Sequence, residues 1–237
     1  SADVVVVTAG FARKPGMSRD DLVAANREVV AGAAREIKKH APRSIIIMVT
    51  NPLDVMAWVA MKETGFPRER VIGMAGVLDS ARFQTFLAAE IGVRPRDVAA
   101  MVLGGHGDTM VPLLTHTTIA GVPVTQLIAK DRLAEIVART RSGGAEIVKL
   151  LGRGSAYYAP GASAFLMVEA IVKDVKRLTA ASVWAQGEYG IRDTFVGLPV
   201  VLGRKGVERI VQMTLSADEQ AALVASADAV RETIAKL

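Results

Sequence analysis

Ser44-Ile45-Ile46-Ile47-Met48-Val49-Thr50-Asn51-Pro52 decides the fold. An unbroken apolar run, closed by a polar Thr-Asn pair and a proline, reads as a short strand buried on both faces. That is the habit of a strand inside a parallel sheet, since a strand with one wet face would alternate. Upstream, Asp3-Val4-Val5-Val6-Val7-Thr8 repeats the pattern and Ala9-Gly10 ends it. Between the two lie a loop, 11–18, broken by Pro15 and Gly16, and the acidic form of a capping box, Ser18-Arg19-Asp20-Asp21. That box predicts a helix running to about Lys39. His40-Ala41-Pro42 closes it, with His40 as a cation at the helix C-terminus. Downstream, Leu53–Glu63 predicts a second helix, Gly65-Phe66-Pro67 a turn, and Arg70–Gly73 a third short strand. Strand and helix alternate, so the fold class is α/β with a parallel sheet and right-handed crossovers.

In such sheets ligands sit beyond the carboxyl ends of the strands. Three stretches occupy those ends: Thr8-Ala9-Gly10, Thr50-Asn51 and Gly73-Met74-Ala75. Asn51 is the most pointed, a polar side chain directly after an apolar strand. It reads equally well as the turn residue that admits the next helix.

From Val77 the pattern changes. Leu78-Asp79-Ser80-Ala81-Arg82 opens a helix to about Glu90, with Asp79 and Arg82 on one face as a surface ion pair or as two site groups. The apolar run Val98–Leu103 feeds Gly104-Gly105-His106-Gly107-Asp108-Thr109. Taken alone, His106 is a histidine in a glycine turn, or a proton carrier that titrates near neutral pH. Strand-like Val111–Ile119 follows, then a helix over Lys130–Leu151 in which Gly143-Gly144 bends it or permits close packing. A Gly-, Ser- and Tyr-rich loop, 152–161, precedes a helix from about Ala162 to Lys176. Short strands are expected near Ala181–Gln186 and Phe195–Leu202. Ser216-Ala217-Asp218-Glu219 caps a last helix whose Leu223, Ala227, Val230, Ile234 and Leu237 share one face.

The chain has 237 residues, 51% of them hydrophobic, enough for a substantial core in one or two domains. Cysteine is absent, so disulfide and thiolate chemistry are excluded and a reducing compartment, the cytoplasm, fits. No apolar run is long enough to cross a bilayer. The net charge of +5 is scattered and aromatics make up only 5%, which argues against nucleic acid and suits a small anionic substrate. Asp108, His106 and His116 show no convincing metal-ligand spacing, so no metal is expected. Neither Gly-x-Gly-x-x-Gly nor Gly-x-x-x-x-Gly-Lys-Ser/Thr occurs. With its first strand exposing an edge, the chain reads as the later part of a longer fold, with a glycine-rich turn expected upstream of Ser1.

Five motifs stand in order: Val-Thr-Ala-Gly (7–10), Ala-Arg-Lys-Pro-Gly-Met-Ser-Arg (12–19), Thr-Asn-Pro-Leu-Asp (50–54), Leu-Asp-Ser-Ala-Arg (78–82) and Gly-Gly-His-Gly-Asp-Thr (104–109). On these motifs the chain closely resembles the lactate/malate dehydrogenase superfamily, and within it the lactate-dehydrogenase-like malate dehydrogenases, from Ser1 to Leu237. The resemblance implies a Rossmann-type NAD-binding domain, here its C-terminal portion over residues 1–74, followed by an α+β catalytic domain over 75–237. It implies NAD as cofactor, a small dicarboxylate substrate, reversible interconversion of malate and oxaloacetate, and a homodimer or homotetramer.

Site roles follow from the same resemblance. His106 is the general acid/base and Asp79 its partner, fixing the ring and raising its proton affinity. Arg82 grips the substrate carboxylate with a bidentate fork. Arg19 polarises the carbonyl. Arg13, on a closing loop, wants a second carboxylate, where lactate dehydrogenases typically carry an uncharged residue. Asn51 orients the substrate, and Thr8, Ala9, Gly10, Asn26, Val49 and Asn51 line the cofactor cleft. Met110, Ser155, Ala156 and Pro160 shape the pocket. The competing expectations are a lactate or other 2-hydroxy-acid dehydrogenase and a non-catalytic subunit.

Overall fold

Three short apolar runs become the parallel part of the main sheet. The structure, a computed structural model, describes residues 2–11, 19–152 and 155–237, and for residues 19 and 20 the backbone alone. Strand β1 (Val4–Val7), helix α1 (Arg19–His40), β2 (Ile45–Met48), α2 (Leu53–Thr64) and β3 (Val71–Gly73) follow one another. β2 pairs in parallel with β1, Val4 opposite Ile45, and with β3, Ile47 opposite Ile72. Side chains alternate along a strand. Ile45 and Ile47 therefore enter one core, with Ile72, Leu78 and Leu198, while Ile46 and Met48 enter the other, with Val30, Met56 and Val71. The unbroken apolar run exists because both faces of β2 are covered. Truncating Ile46 or Ile47 to alanine would cost about 2–5 kcal/mol, the usual range for a fully packed branched side chain.

β3 runs into α3 (Ala75–Ile91) without a loop. Met74, in the αR conformation, donates its N–H to the Met48 carbonyl at 3.0 Å, so the strand ladder passes directly into the helix. The helix expected from Leu78 thus starts three residues earlier, and Asp79 and Arg82 lie beyond its first turn. The next segment makes short strands only: β4 (Val98–Ala99), β5 (Val102–Leu103), β6 (Val111–Pro112), β7 (Thr118–Ile119) and β8 (Val122–Pro123). The strand expected over Val111–Ile119 breaks at Leu114–His116, a 3-10 turn. Pro112 has no N–H for a ladder, and the Thr117 hydroxyl donates to the Leu113 carbonyl at 2.6 Å, folding the chain back.

Helices α4 (Val124–Leu127), α5 (Lys130–Leu151) and α6 (Tyr158–Val172) come next. α6 begins and ends four residues before the expected bounds. Pro160 sits in its first turn, where a missing N–H costs nothing. The loop after α6 holds Asp174 and Lys176 at φ 54° and 56°. Strands β9 (Arg177–Gln186) and β10 (Arg192–Gly203) are longer than expected, because Thr179 and Thr194 interrupt their apolar pattern without interrupting the ladder. β11 (Gly206–Ile210) and α7 (Ala217–Ile234) complete the chain.

Among the described residues the main sheet has the order β1-β2-β3-β9-β10-β11. The parallel part joins the antiparallel part at a single pair, Gly73 opposite Ser182. The β3 edge is therefore covered by β9, and among the described residues β1 and β11 are the outer strands. α7 carries the expected capping box: Ser216 Oγ accepts the Glu219 N–H, and Glu219 Oε2 accepts the Ser216 N–H at 3.1 Å. Its Leu223, Ala227 and Val230 are buried. Glu219 also takes the N–H and hydroxyl of Thr115, tying α7 to the 3-10 turn after β6.

Candidate active site

β5 and β6 form a hairpin, Leu103 opposite Val111, and His106 lies in the loop between them. Four elements hold that loop. Gly104 exchanges two backbone hydrogen bonds with Gly197 of β10, at 2.9 and 3.0 Å. A Cβ at Gly197 would stand 2.5 Å from the Gly104 carbonyl oxygen, so only glycine allows that approach. Ser226 of α7 accepts the Gly105 N–H at 2.8 Å and donates to Thr109 Oγ1 at 2.9 Å. Asp54 of α2 accepts the His106 N–H at 2.8 Å. Asp79 of α3 meets the ring itself, its Oδ2 2.8 Å from His106 Nδ1.

The ring contact sets the chemistry. A carboxylate at Nδ1 keeps the proton of the neutral ring there, leaving Nε2 as the atom that can exchange a proton with a ligand. Burial disfavours the charged imidazole, but the Asp79 charge and hydrogen bond and the Asp54 charge outweigh it. The His106 pKa is raised above its usual value. The His106 and Asp79 side chains are 14% and 3% exposed, so this pair works in a largely dry setting.

Arg82 lies one turn further along α3, with Nη1 3.4 Å from Asp79 Oδ1. Its side chain is only 14% exposed, so the pair is internal and not a surface ion pair. Gly143 and Gly144 of α5 give it room. A Cβ at Gly143 would meet Arg82 Cδ at 3.3 Å, and one at Gly144 would reach Nη1 at 3.9 Å. Gly143 serves close packing against this guanidinium, while at Gly144 a methyl group would make ordinary contact. A guanidinium, an imidazole and the carboxylate between them form a unit able to bind an anion and move a proton.

The other wall is built at the carboxyl ends of β1 and β2. Thr8, Ala9 and Gly10 are exposed there. Gly10 has φ 153°, and a Cβ on it would stand 2.5 Å from Thr50 Cγ2 and 2.9 Å from Asn26 Oδ1. Asn26 is fully buried. Its Oδ1 accepts the Phe11 N–H at 2.7 Å, and its Nδ2 donates to the carbonyls of Phe11 and Asn51 at 3.1 and 2.7 Å. Its amide is thus spent on joining the two strand ends. Thr50 Oγ1 donates to the Ala9 carbonyl at 2.7 Å. Val49 donates its N–H to Val7. Asn51 Oδ1 accepts the Leu53 N–H at 3.3 Å, so it does serve the helix entry, while remaining exposed. These residues offer bare main chain and small side chains at parallel strand ends, which fits the nicotinamide side of a dinucleotide.

Arg13 lies outside the described residues, as does the capping serine Ser18, and of Arg19 only its place at the start of α1 is described. Met110 is a correction: its side chain is 2% exposed and packs with Phe83, Leu87 and Ile136, so it belongs to the core and not to a pocket wall. Among the described residues no group of three His, Asp or Glu side chains is placed to hold a metal. Sequence reading missed Asp54, Ser226 and Gly197. Asp54 had a signal, an acid two residues after an apolar strand's closing Asn-Pro; Ser226 and Gly197 had none, since their partners are distant in sequence.

Residues 1–73 match the family model described as the lactate/malate dehydrogenase NAD binding domain, and residues 76–237 that of the lactate/malate dehydrogenase alpha/beta C-terminal domain. The chain belongs to the lactate/malate dehydrogenase family. It is 54% identical to a malate dehydrogenase of Bacillus cereus over 233 residues, 98% of this chain and 75% of that protein. The crystal structure of Cryptosporidium parvum malate dehydrogenase superposes with a TM-score of 0.96 at 42% identity, covering 100% of this chain and 77% of the other. A Cryptosporidium parvum lactate dehydrogenase, solved with lactic acid and nicotinamide adenine dinucleotide, superposes with a TM-score of 0.95 at 39% identity, covering 99% and 76%. The family membership bears out the α/β fold class and NAD as cofactor.

Proposed function

We propose that the protein is an NAD-dependent malate dehydrogenase that interconverts (S)-malate and oxaloacetate. The observation that carries the chemistry is the His106 Nδ1–Asp79 Oδ2 contact at 2.8 Å beside the internal Arg82. NAD, when bound, supplies the hydride acceptor for the substrate's alcohol carbon and the donor in reverse. His106 Nε2 takes the hydroxyl proton as malate is oxidised and returns it to the carbonyl oxygen as oxaloacetate is reduced. Asp79 keeps the ring oriented and stabilises its charged form. Arg82 binds the carboxylate next to the reacting carbon. Arg19 polarises the carbonyl, and Asn51 orients the substrate beside the exposed main chain of Thr8, Ala9 and Gly10. Asn26 and Val49 support that cleft from beneath.

Arg13 carries the choice of substrate. A closed, dry site leaves a cation costly unless a second carboxylate pairs with it, by roughly several kcal/mol. Oxaloacetate brings that carboxylate and pyruvate does not. The lactate dehydrogenase likeness keeps pyruvate as the rival substrate. Steady-state rates with NADH decide between them: a higher kcat/KM for oxaloacetate is expected, and a preference for pyruvate overturns the reading. Arg13→Gln should lower kcat/KM for oxaloacetate far more than for pyruvate.

A cofactor domain over residues 1–74 and a catalytic domain over 75–237 are supported by the change of pattern where β3 passes into α3. A homodimer or homotetramer is supported by large apolar side chains left exposed along α5 and α6, Leu150 at 77%, Tyr158 at 84% and Phe165 at 63%. Among the described residues no helix is long and apolar enough to cross a membrane. The cysteine-free chain suits the reducing cytoplasm, where this reaction serves the tricarboxylic acid cycle.

A further inference from the structure

Among the described residues, Asp54 is the one carboxylate of the site whose place is not accounted for by substrate, cofactor or ring. It stands in the first turn of α2 and is 4% exposed. An acid in a helix's first turn is ordinarily solvated and worth a few tenths of a kcal/mol, about 0.3–1 at most on a surface. Helix entry needs no buried charge here, because Asn51 already accepts the Leu53 N–H. Both Asp54 oxygens are instead spent on other elements. Oδ1 accepts the Ser182 hydroxyl of β9 at 2.6 Å, and Oδ2 accepts the His106 N–H at 2.8 Å. Ser182 is fully buried at the pair that joins β9 to β3.

We propose that Asp54 is a positioning residue for the acid/base step, pinning the main chain of His106 to α2 and β9 and adding its charge to that of Asp79 on the imidazole. The proposal rests on the reading of His106 as the acid/base. Asp79 approaches the ring and Asp54 approaches the backbone of the same residue, so the side-chain torsions of His106 are bounded at both ends. Removing Asp54 frees the backbone end while the ring contact remains. Among the described residues the groups that face Asp54 and His106 are Asp79 and Arg82 from α3 and the neutral Ser182 from β9. Burial pushes Asp54 up, and Asp79 adds to it, while the Ser182 hydroxyl, the His106 N–H and the imidazole charge pull it down. Asp54 in turn favours the protonated ring.

Two substitutions separate anchor from charge. In Asp54→Asn the amide oxygen still accepts the His106 N–H and the NH2 group faces Ser182 Oγ, so the anchor survives and the charge is lost. In Asp54→Ala both are lost. His106 is followed in the purified protein labelled with 15N-histidine, by its ring titration and by exchange of its amide proton. In the parent protein the amide should exchange slowly for a loop residue. Asp54→Asn should lower the ring midpoint by roughly half a unit to one unit, the scale of one charge acting through protein, with amide protection kept. Asp54→Ala should lower it as well, speed amide exchange at least about tenfold, and cut kcat/KM by roughly 10–100-fold through misplacement of the ring. An unchanged midpoint and unchanged amide exchange in Asp54→Ala overturn the proposal. If neither variant folds, Ser182→Ala tests the clamp from its other end: faster His106 amide exchange supports it, and unchanged exchange overturns it. The nuclear resonance readouts need no substrate. A protein inactive on oxaloacetate would therefore sink the function while still reporting on Asp54.

Discussion

The loop that carries His106 and the turn that follows β1 are both tied to the corner between β2 and α2, but they are held in different ways. The His106 loop is fixed by hydrogen bonds from α2, α3, α7 and β10, through Asp54, Asp79, Ser226 and Gly197. The turn at Thr8–Phe11 depends on two side chains, Asn26 and Thr50, and leaves its own residues exposed. The difference follows from the task. A proton transfer is sensitive to ring placement on the scale of an ångström. A wall that offers main chain to a large, flat ligand needs shape and access more than a locked side chain.

That contrast can be broken, and the largest effect should come from the loop. His106→Asn keeps a polar group near Asp79 but cannot exchange a proton, so kcat should fall by roughly 10²–10⁴-fold. NADH binding, followed by its fluorescence, should be unchanged. Near-normal turnover would remove the acid/base role. In the parent protein, the raised pKa of His106 sets the pH window. Oxaloacetate reduction needs the protonated ring, so its kcat/KM should hold through the usual histidine value, about 6.5, and fall only at higher pH. Malate oxidation needs the neutral ring and should rise over that same higher range. A turning point at or below the usual value would contradict the Asp79 and Asp54 charges as its cause.

Gly197→Ala comes next, because its Cβ meets the Gly104 carbonyl oxygen, a main-chain atom, at 2.5 Å. Displacing the loop by about an ångström should cost roughly 10–100-fold in kcat, with a lowered Tm, although residue 197 touches no ligand. Asn26→Ala tests the other wall. It strips three hydrogen bonds and leaves buried groups unpaired, at about 1–3 kcal/mol of stability. It should weaken NADH binding more than it lowers kcat; the reverse would mean that both walls serve the chemical step. The smallest effect belongs to Gly144→Ala. Its Cβ only reaches ordinary contact with Arg82 at 3.9 Å, and alanine favours the helix by up to about 1 kcal/mol. KM for oxaloacetate should move by less than about twofold, and Tm should rise slightly.

The sequence made the parallel strands legible because a strand covered on both faces must be apolar at every position, as Ile45, Ile46, Ile47 and Met48 are. It made the motif residues legible because His106, Asp79 and Arg82 are types that core packing does not ask for. The lengths of β9 and β10 were hidden, since Thr179 and Thr194 look like strand ends and are ladder positions, Thr194 a fully buried one. The start of α3 was hidden by the absence of any capping side chain at Met74. The four-way hold on the His106 loop was hidden for a different reason. Gly104–Gly197, Gly105–Ser226 and His106–Asp54 are contacts between distant stretches, and pattern along the chain carries no information about them.

One glycine shows how far the site reaches. At Gly73, where the two halves of the sheet meet, a Cβ would stand 2.3 Å from Leu53 Cδ2 and 2.7 Å from Ser182 Cβ. Leu53 neighbours Asp54 in sequence, and Ser182 is the hydroxyl that Asp54 accepts. A methyl group added there presses on Ser182 and on the residue next to Asp54, the two ends of one contact. In a saturation mutagenesis screen scored on growth or turnover, Gly73 would be classed among the catalytic positions, although it lies buried at the seam of the sheet.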